Sequence, residues 1–131
     1  YWQGDNERIY LLGNPLIYWL STIAVIYFLI NTFKKLKSLS SSHSLLVLSY
    51  LLNLLPFIFI GRVMFLYHYF ISLIFAVLIL CFQLDKLKNK KVFNAVLIGS
   101  IVLFLFFSPL TYGFEIPDWY HKMTVWLPSW R

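Results

Sequence analysis

One cysteine, five acidic residues and five glycines in 131 residues leave little room for several classes of chemistry. Cys81 stands alone, so the chain holds neither an intrachain disulfide nor a thiolate metal site, and its place deep in an apolar run makes it a packing residue. Asp5, Glu7, Asp85, Glu115 and Asp118 all fall outside the long apolar runs. With no acid inside a span, a small transporter subunit is disfavoured. His43, His68 and His121 are far apart and form no HExxH spacing, and there is no glycine-rich phosphate loop and no Asn-x-Ser/Thr acceptor. No cofactor is implied. No cleavable signal peptide is visible, because the first apolar run follows a polar segment of mixed charge. The chain opens on Tyr1-Trp2-Gln3 without a methionine, and the expectation is a piece of a longer polypeptide.

What the sequence has in quantity is apolar surface. It is 60% hydrophobic with a mean hydropathy of +0.75 and only 12% charged. A soluble domain is nearer half apolar and a quarter charged, so the expectation is an integral membrane protein. The formal charge of +6 invites a nucleic-acid reading, but its placement argues against one. Seven of the eleven basic residues fall in two clusters, Lys34, Lys35, Lys37 and Lys86, Lys88, Lys90, Lys91, each directly after an apolar run. That is the pattern of cytoplasmic loops, with contact to anionic lipid as a secondary role.

The expected fold is an all-α membrane protein with four transmembrane helices, at about 15–33, 45–60, 63–84 and 92–107. Residues 1–14 form an interfacial segment that closes at Gly13 as a helix C-terminal signal, and Asn14-Pro15 reads as N-cap and first-turn proline of the next helix. Ser49, Asn53 and Pro56 share one face of the second span, where polar groups turn toward neighbouring helices and the proline kinks the chain. Asn94, Gly99 and Ser100 are packing candidates in the fourth span, which Ser108-Pro109 ends. The tail, 108–131, which carries three tryptophans and two prolines from Leu110 onward, is expected to fold back along the membrane interface. The lysine loops then place both termini and the turn at Arg62 on the extracytoplasmic face.

The densest chemistry lies in Gly61-Arg62-Val63-Met64-Phe65-Leu66-Tyr67-His68-Tyr69-Phe70, between two apolar runs. Wound as an α-helix, it sets Arg62, Leu66 and Tyr69 on one face with Phe65 and His68 beside it. Two readings stand: an interfacial arginine inside an aromatic belt, or a cationic site facing an anionic lipid headgroup.

Three stretches, Ile9-Tyr10-Leu11-Leu12-Gly13-Asn14-Pro15, Gly61 to Tyr69, and Phe107-Ser108-Pro109-Leu110-Thr111-Tyr112-Gly113 with the closing Trp126-Leu127-Pro128-Ser129-Trp130, occur in an order and spacing that resembles the C-terminal four-span region of the protein O-mannosyltransferases. The resemblance covers essentially the whole chain. It implies part of a GT-C type glycosyltransferase that moves mannose from dolichyl or polyprenyl phosphate mannose to serine or threonine of secreted proteins. The partners it implies are that donor, a Ser/Thr-containing acceptor protein, the lipid bilayer and the rest of the chain's own polypeptide, with no nucleic acid. It places the protein in the plasma membrane for a prokaryotic source and in the endoplasmic reticulum membrane for a eukaryotic one.

Members of the family keep a catalytic Asp-Glu pair in the first extracytoplasmic loop. No stretch here matches it, and Asp5 and Glu7 are not that motif, so no catalytic residue is assigned and the chain alone is expected to be inactive. After Tyr69, where members often carry leucine and proline, this chain has Phe70 and Ile71. The residues expected to meet the lipid phosphate or sugar are Arg62, His68 and Tyr69. Glu7, Arg8, Asn14, Tyr112 and Trp126 are candidates for the wall of an extracytoplasmic site. The alternative function is a non-catalytic membrane scaffold that packs the enzyme and touches no substrate.

Overall fold

The computed structural model describes residues 2–3, 8–9, 12–34, 41–61 and 66–126. Its architecture is all-helical apart from one minimal strand pair. Strand β1 (Trp2–Gln3) pairs antiparallel with β2 (Arg8–Ile9), Trp2 opposite Ile9 and Gln3 opposite Arg8. The helix expected to end at Gly13 is therefore replaced, at these residues, by a strand pair. Gly4, Asp5 and Asn6 are residue types of low helix propensity.

Five helices follow among the described residues: α1 (Pro15–Lys34), α2 (Ser41–Ile58), α3 (Phe70–Lys86), α4 (Lys90–Tyr112) and α5 (Asp118–Thr124). Leu66–Tyr69 forms a 3-10 turn leading into α3. α1 and α4 are long and apolar enough to cross a membrane.

The core lies where α1 and α3 pack together, with α2 against α3. On α1 the buried residues Ser21, Ala24, Val25, Phe28 and Thr32 recur at helical spacing. Facing them, α3 buries Ser72, Ala76, Ile79 and Leu80. Ser72 and Ala76, four apart and both fully buried, are small enough for two backbones to approach closely. The helices run parallel. Tyr18 meets Tyr69 near their starts, and further along Phe28 meets Phe82 edge-on at 5.9 Å while Gln83 Nε2 donates to the Ala24 carbonyl. Outside this core large apolar side chains stay exposed, among them Ile23, Tyr27, Leu48, Leu52, Ile98, Ile101 and Leu105. An apolar surface of that extent suits lipid as solvent.

α4 joins the bundle at its middle. Gly99 lies so close to α1 that a Cβ there would stand 3.0 Å from Leu16 Cδ2, and the Ser100 carbonyl accepts from Asn14 Nδ2 at 2.7 Å. Beyond Ser100, α4 continues for twelve residues, about 18 Å. It does not stop at Pro109, as expected from sequence, but runs on to Tyr112. A proline at 109 cannot donate to the Leu105 carbonyl, and Ser108 Oγ supplies that bond instead at 2.9 Å. The helix closes at Gly113, whose φ of 69° is the left-handed position glycine adopts without strain. The tail then folds back: Tyr120 donates its hydroxyl to the Phe106 carbonyl, and Trp126 packs on Phe107 at 5.0 Å.

Two expectations about polar packing come out differently. Asn53 does not reach a neighbouring helix; its Nδ2 donates to the Ser49 carbonyl one turn back, at 2.8 Å. Asn94 is exposed, whereas Gly99 and Ser100 make the helix contact expected of them.

Candidate functional site

The candidate site grows from the 3-10 turn. Tyr69 is the last residue of that turn and the N-cap of α3, with φ −83° and ψ −8° and no capping bond from its side chain. A tyrosine that does not cap its helix has its ring and hydroxyl available for neighbours, and Tyr69 uses both. Its ring lies 6.2 Å from Tyr18 on α1, tilted by 42°. Its hydroxyl lies 3.5 Å from the Tyr50 hydroxyl on α2. One side chain thus ties three helices together. His68, one residue earlier, sets its ring edge-on to Phe57 near the end of α2, at 5.6 Å and 70°.

The face expected to carry Arg62, Leu66 and Tyr69 presumed α-helical winding. Over Leu66–Tyr69 the chain winds more tightly, at about three residues per turn, and α3 begins only at Phe70. The apolar run Phe70–Leu80 is where α-helical spacing takes hold. Arg62 itself lies outside the described residues.

Asn14 is fixed from two sides. Its Oδ1 accepts from Ile17 N at 3.3 Å and its carbonyl from Tyr18 N at 3.0 Å, which caps α1 as the Asn-Pro pair predicts. Its Nδ2 simultaneously holds α4 at Ser100. Gly13, just before it, has no room for a side chain: a Cβ would fall 2.1 Å from Tyr18 Cε2. The Leu-Gly-Asn-Pro stretch therefore sets where Tyr18 stands, and Tyr18 in turn meets Tyr69.

The remaining candidates are dispersed. Glu7 lies outside the described residues, and Arg8 belongs to β2. Tyr112 sits on the last turn of α4, 62% exposed, its ring beside Phe114 at 6.3 Å. Trp126 donates Nε1–H to the Met123 carbonyl at 3.0 Å while its ring packs on Phe107. Tyr112 and Trp126 thus lean on the second half of α4 and the tail, and His68 and Tyr69 on α2 and α3. Among the described residues no group of three or more His, Cys, Asp or Glu is placed to hold a metal ion.

Sequence reasoning singled out neither Tyr50 nor Tyr18 as a site residue. A signal existed for Tyr50: a phenol in the middle of an apolar run needs a polar partner when buried. Periodicity cannot name that partner, because Tyr69 is 19 residues away in sequence.

The facing hydroxyls of Tyr50 and Tyr69, and the imidazole of His68 one residue earlier in the chain, are groups that can donate to anionic or hydroxylated ligands. Comparison with known proteins shows the family of the chain. The family described as the C-terminal four TMM region of protein-O-mannosyltransferase matches residues 1–130. This chain belongs to that family. Among curated proteins it is 28% identical over 168 residues to protein O-mannosyl-transferase 2 of Danio rerio, covering 98% of the chain and 22% of that protein. It is also 28% identical over 165 residues to dolichyl-phosphate-mannose–protein mannosyltransferase 2 of Candida albicans, covering 99% of the chain and 21% of that protein. A bacterial relative, the polyprenol-phosphate-mannose–protein mannosyltransferase of Corynebacterium glutamicum, is 28% identical over 139 residues, 96% of the chain and 26% of its own length. The chain thus spans about a fifth to a quarter of the length of these three relatives. No solved structure matches it significantly. All three family stretches quoted from the sequence fall within the matched O-mannosyltransferase region.

Proposed function

We propose that this chain is the C-terminal membrane part of a GT-C type glycosyltransferase that transfers mannose from a dolichyl or polyprenyl phosphate to serine or threonine of a protein. The observation that carries the reading is the junction at Tyr69. There the Leu-Gly-Asn-Pro stretch, through Tyr18, meets the segment that follows Arg62, and family membership supplies the substrate class. In this reading all four long helices span the bilayer, with α2 at about 27 Å and the Leu66–Lys86 segment at about 33 Å sufficient for its core. The interfacial segment is 1–14 and the extracytoplasmic tail 108–131. The membrane is the plasma membrane of a prokaryote or the endoplasmic reticulum membrane of a eukaryote.

The chemistry divides between this region and the rest of the enzyme. A hydroxyl attacking the anomeric carbon of mannose must lose its proton to a base, and the departing lipid phosphate gains negative charge. No carboxylate pair in this chain matches the family's base, so that role belongs to another part of the polypeptide. Arg62 faces the phosphate, where a guanidinium makes two parallel charge-assisted hydrogen bonds. His68 and Tyr69 donate to phosphate or sugar hydroxyls, and Glu7, Arg8, Asn14, Tyr112 and Trp126 lie along the same extracytoplasmic side. The scaffold reading has one observation in its favour: the Tyr69 hydroxyl already has an internal neighbour in Tyr50.

Substituting Arg62 in the complete enzyme separates the two. Arg62→Ala is expected to slow transfer by 10²–10³, as for the loss of one preorganised donor. Arg62→Lys should recover only part of it, because charge returns without the fork geometry. Transfer rate is measured against the amount of folded protein. Near-normal turnover per folded molecule in Arg62→Ala would establish the scaffold reading instead.

A further inference from the structure

The turn between α3 and α4 places Lys88, Lys90 and Lys91 where they cost stability. Leu87 N donates to the Gln83 carbonyl at 3.2 Å and Lys88 N to the Asp85 carbonyl at 3.0 Å, closing α3. Lys88 has φ 50°, and among the described residues it is the only non-glycine with positive φ. A left-handed residue after a helix is the place glycine fills without strain, and the Cβ of lysine makes it unfavourable.

Two residues later Lys90 and Lys91 open α4, whose first turn holds no acidic residue. Backbone N–H groups make that end of a helix positive, so two ammonium groups there oppose the macrodipole. Asn89 Oδ1 already accepts from Lys91 N at 3.1 Å and Val92 N at 3.4 Å. Much of the backbone demand is thus met, and the uncompensated quantity is charge. Asp85 is the single carboxylate in the sequence from Phe70 to Tyr112. Because α1 and α3 run parallel, Lys34 closes α1 at this same end. Apolar groups are interleaved with the lysines: Leu87 is 63% exposed, Phe93 45%, and Lys86 Nζ lies 4.4 Å from the Phe82 ring.

We infer that the Lys86–Lys91 turn is a docking surface for anionic phospholipid headgroups of the leaflet at this end of the bundle. Phosphate oxygens accept from the Nζ groups, while Leu87 and Phe93 enter the acyl layer beneath and the lysine stems extend along it. An anionic leaflet offsets the dipole mismatch and the like-charge repulsion, and it rewards the strained Lys88 with a counter-charge. The lipid is the source of phosphate chemistry here because the lysines are flanked by exposed apolar residues, which a free anion would not need. This surface is separate from the Tyr69 junction and does not depend on the donor-site reading.

The full chain in nanodiscs of phosphatidylcholine, with increasing fractions of phosphatidylglycerol, tests this. Lipids retained are counted by native mass spectrometry and thermal unfolding is followed in parallel. The wild type should retain phosphatidylglycerol preferentially and melt higher as its fraction rises. Each lysine removed should weaken that preference by roughly fivefold. Lys90→Gln with Lys91→Gln should therefore lose about 25-fold while keeping its helical circular dichroism. Lys88→Gly should melt higher than wild type in pure phosphatidylcholine, because strain is relieved, yet gain less from phosphatidylglycerol. If the double variant does not fold, Lys88→Gly alone decides. Equal lipid retention in wild type and variants would overturn the inference. So would inorganic phosphate raising the wild-type melting temperature in phosphatidylcholine as much as phosphatidylglycerol does, since the surface would then be a free-anion site.

Discussion

Asn14 does two jobs with one amide, and they can be taken apart. Its oxygen caps α1 and its nitrogen holds the Ser100 carbonyl of α4. Asn14→Ser keeps an acceptor for the cap but has no amide donor for Ser100, so it should cost only the cross-helix bond, about 1 kcal/mol. Asn14→Ala loses both and should cost about 2 kcal/mol. Equilibrium unfolding in detergent measures the pair: equal costs would mean that the cap contributes nothing, and no cost in the first variant would mean that the bond to Ser100 contributes nothing. Gly13→Ala belongs with them: its Cβ cannot coexist with the Tyr18 ring where it stands, so the ring must leave Tyr69 or the turn must shift. In the complete enzyme Gly13→Ala should reduce transfer more than Gly61→Ala, because a Cβ at Gly61 meets nothing within 4 Å. The cap was legible in Asn14-Pro15, since its chemistry is local. The partners Ser100 and Tyr50 were not, because both contacts join residues far apart in the sequence.

Among the elements, the apolar runs announced the helices and the turn chemistry misjudged some of their ends. Pro109 reads as a stop, yet α4 passes through it because Ser108 returns a donor to Leu105 and Gly113 is available as a better end. The aromatic stretch before Phe70 reads as helix by spacing but winds as a 3-10 turn over Leu66–Tyr69. The α1–α3 interface has a further consequence. Ser72 Oγ is fully buried without a hydrogen-bond partner among the described residues, so Ser72→Ala should be neutral or slightly stabilising. Ala76, also fully buried, has no such freedom: Ala76→Leu should destabilise by about 1–3 kcal/mol by forcing the two helices apart. Thermal unfolding of both variants in the same detergent checks the contrast. A destabilised Ser72→Ala would mean that the hydroxyl has a partner after all.

At the scale of the whole molecule, family and class were legible because 60% apolar composition, two lysine clusters and three motifs in register point the same way. This 131-residue region by itself, given polyprenyl phosphate mannose and a Ser/Thr peptide, should yield no glycopeptide above background, since no carboxylate pair here matches the family's base. Turnover would make Glu7 the first candidate for the base. The central claim is that the Leu-Gly-Asn-Pro stretch, the turn at Arg62 and the tail share one face of the membrane, opposite the lysines. Single cysteines at Ser41, Leu87, Phe59 and Ser129, in a Cys81→Ser background, measure it with an impermeant thiol reagent applied to intact cells or sealed vesicles of known orientation. Phe59, 83% exposed at the end of α2, and Ser129 should label from the extracytoplasmic side, and Ser41 and Leu87 only after permeabilisation. Labelling of Ser41 or Leu87 from outside, or protection of Phe59 together with Ser129, would contradict it.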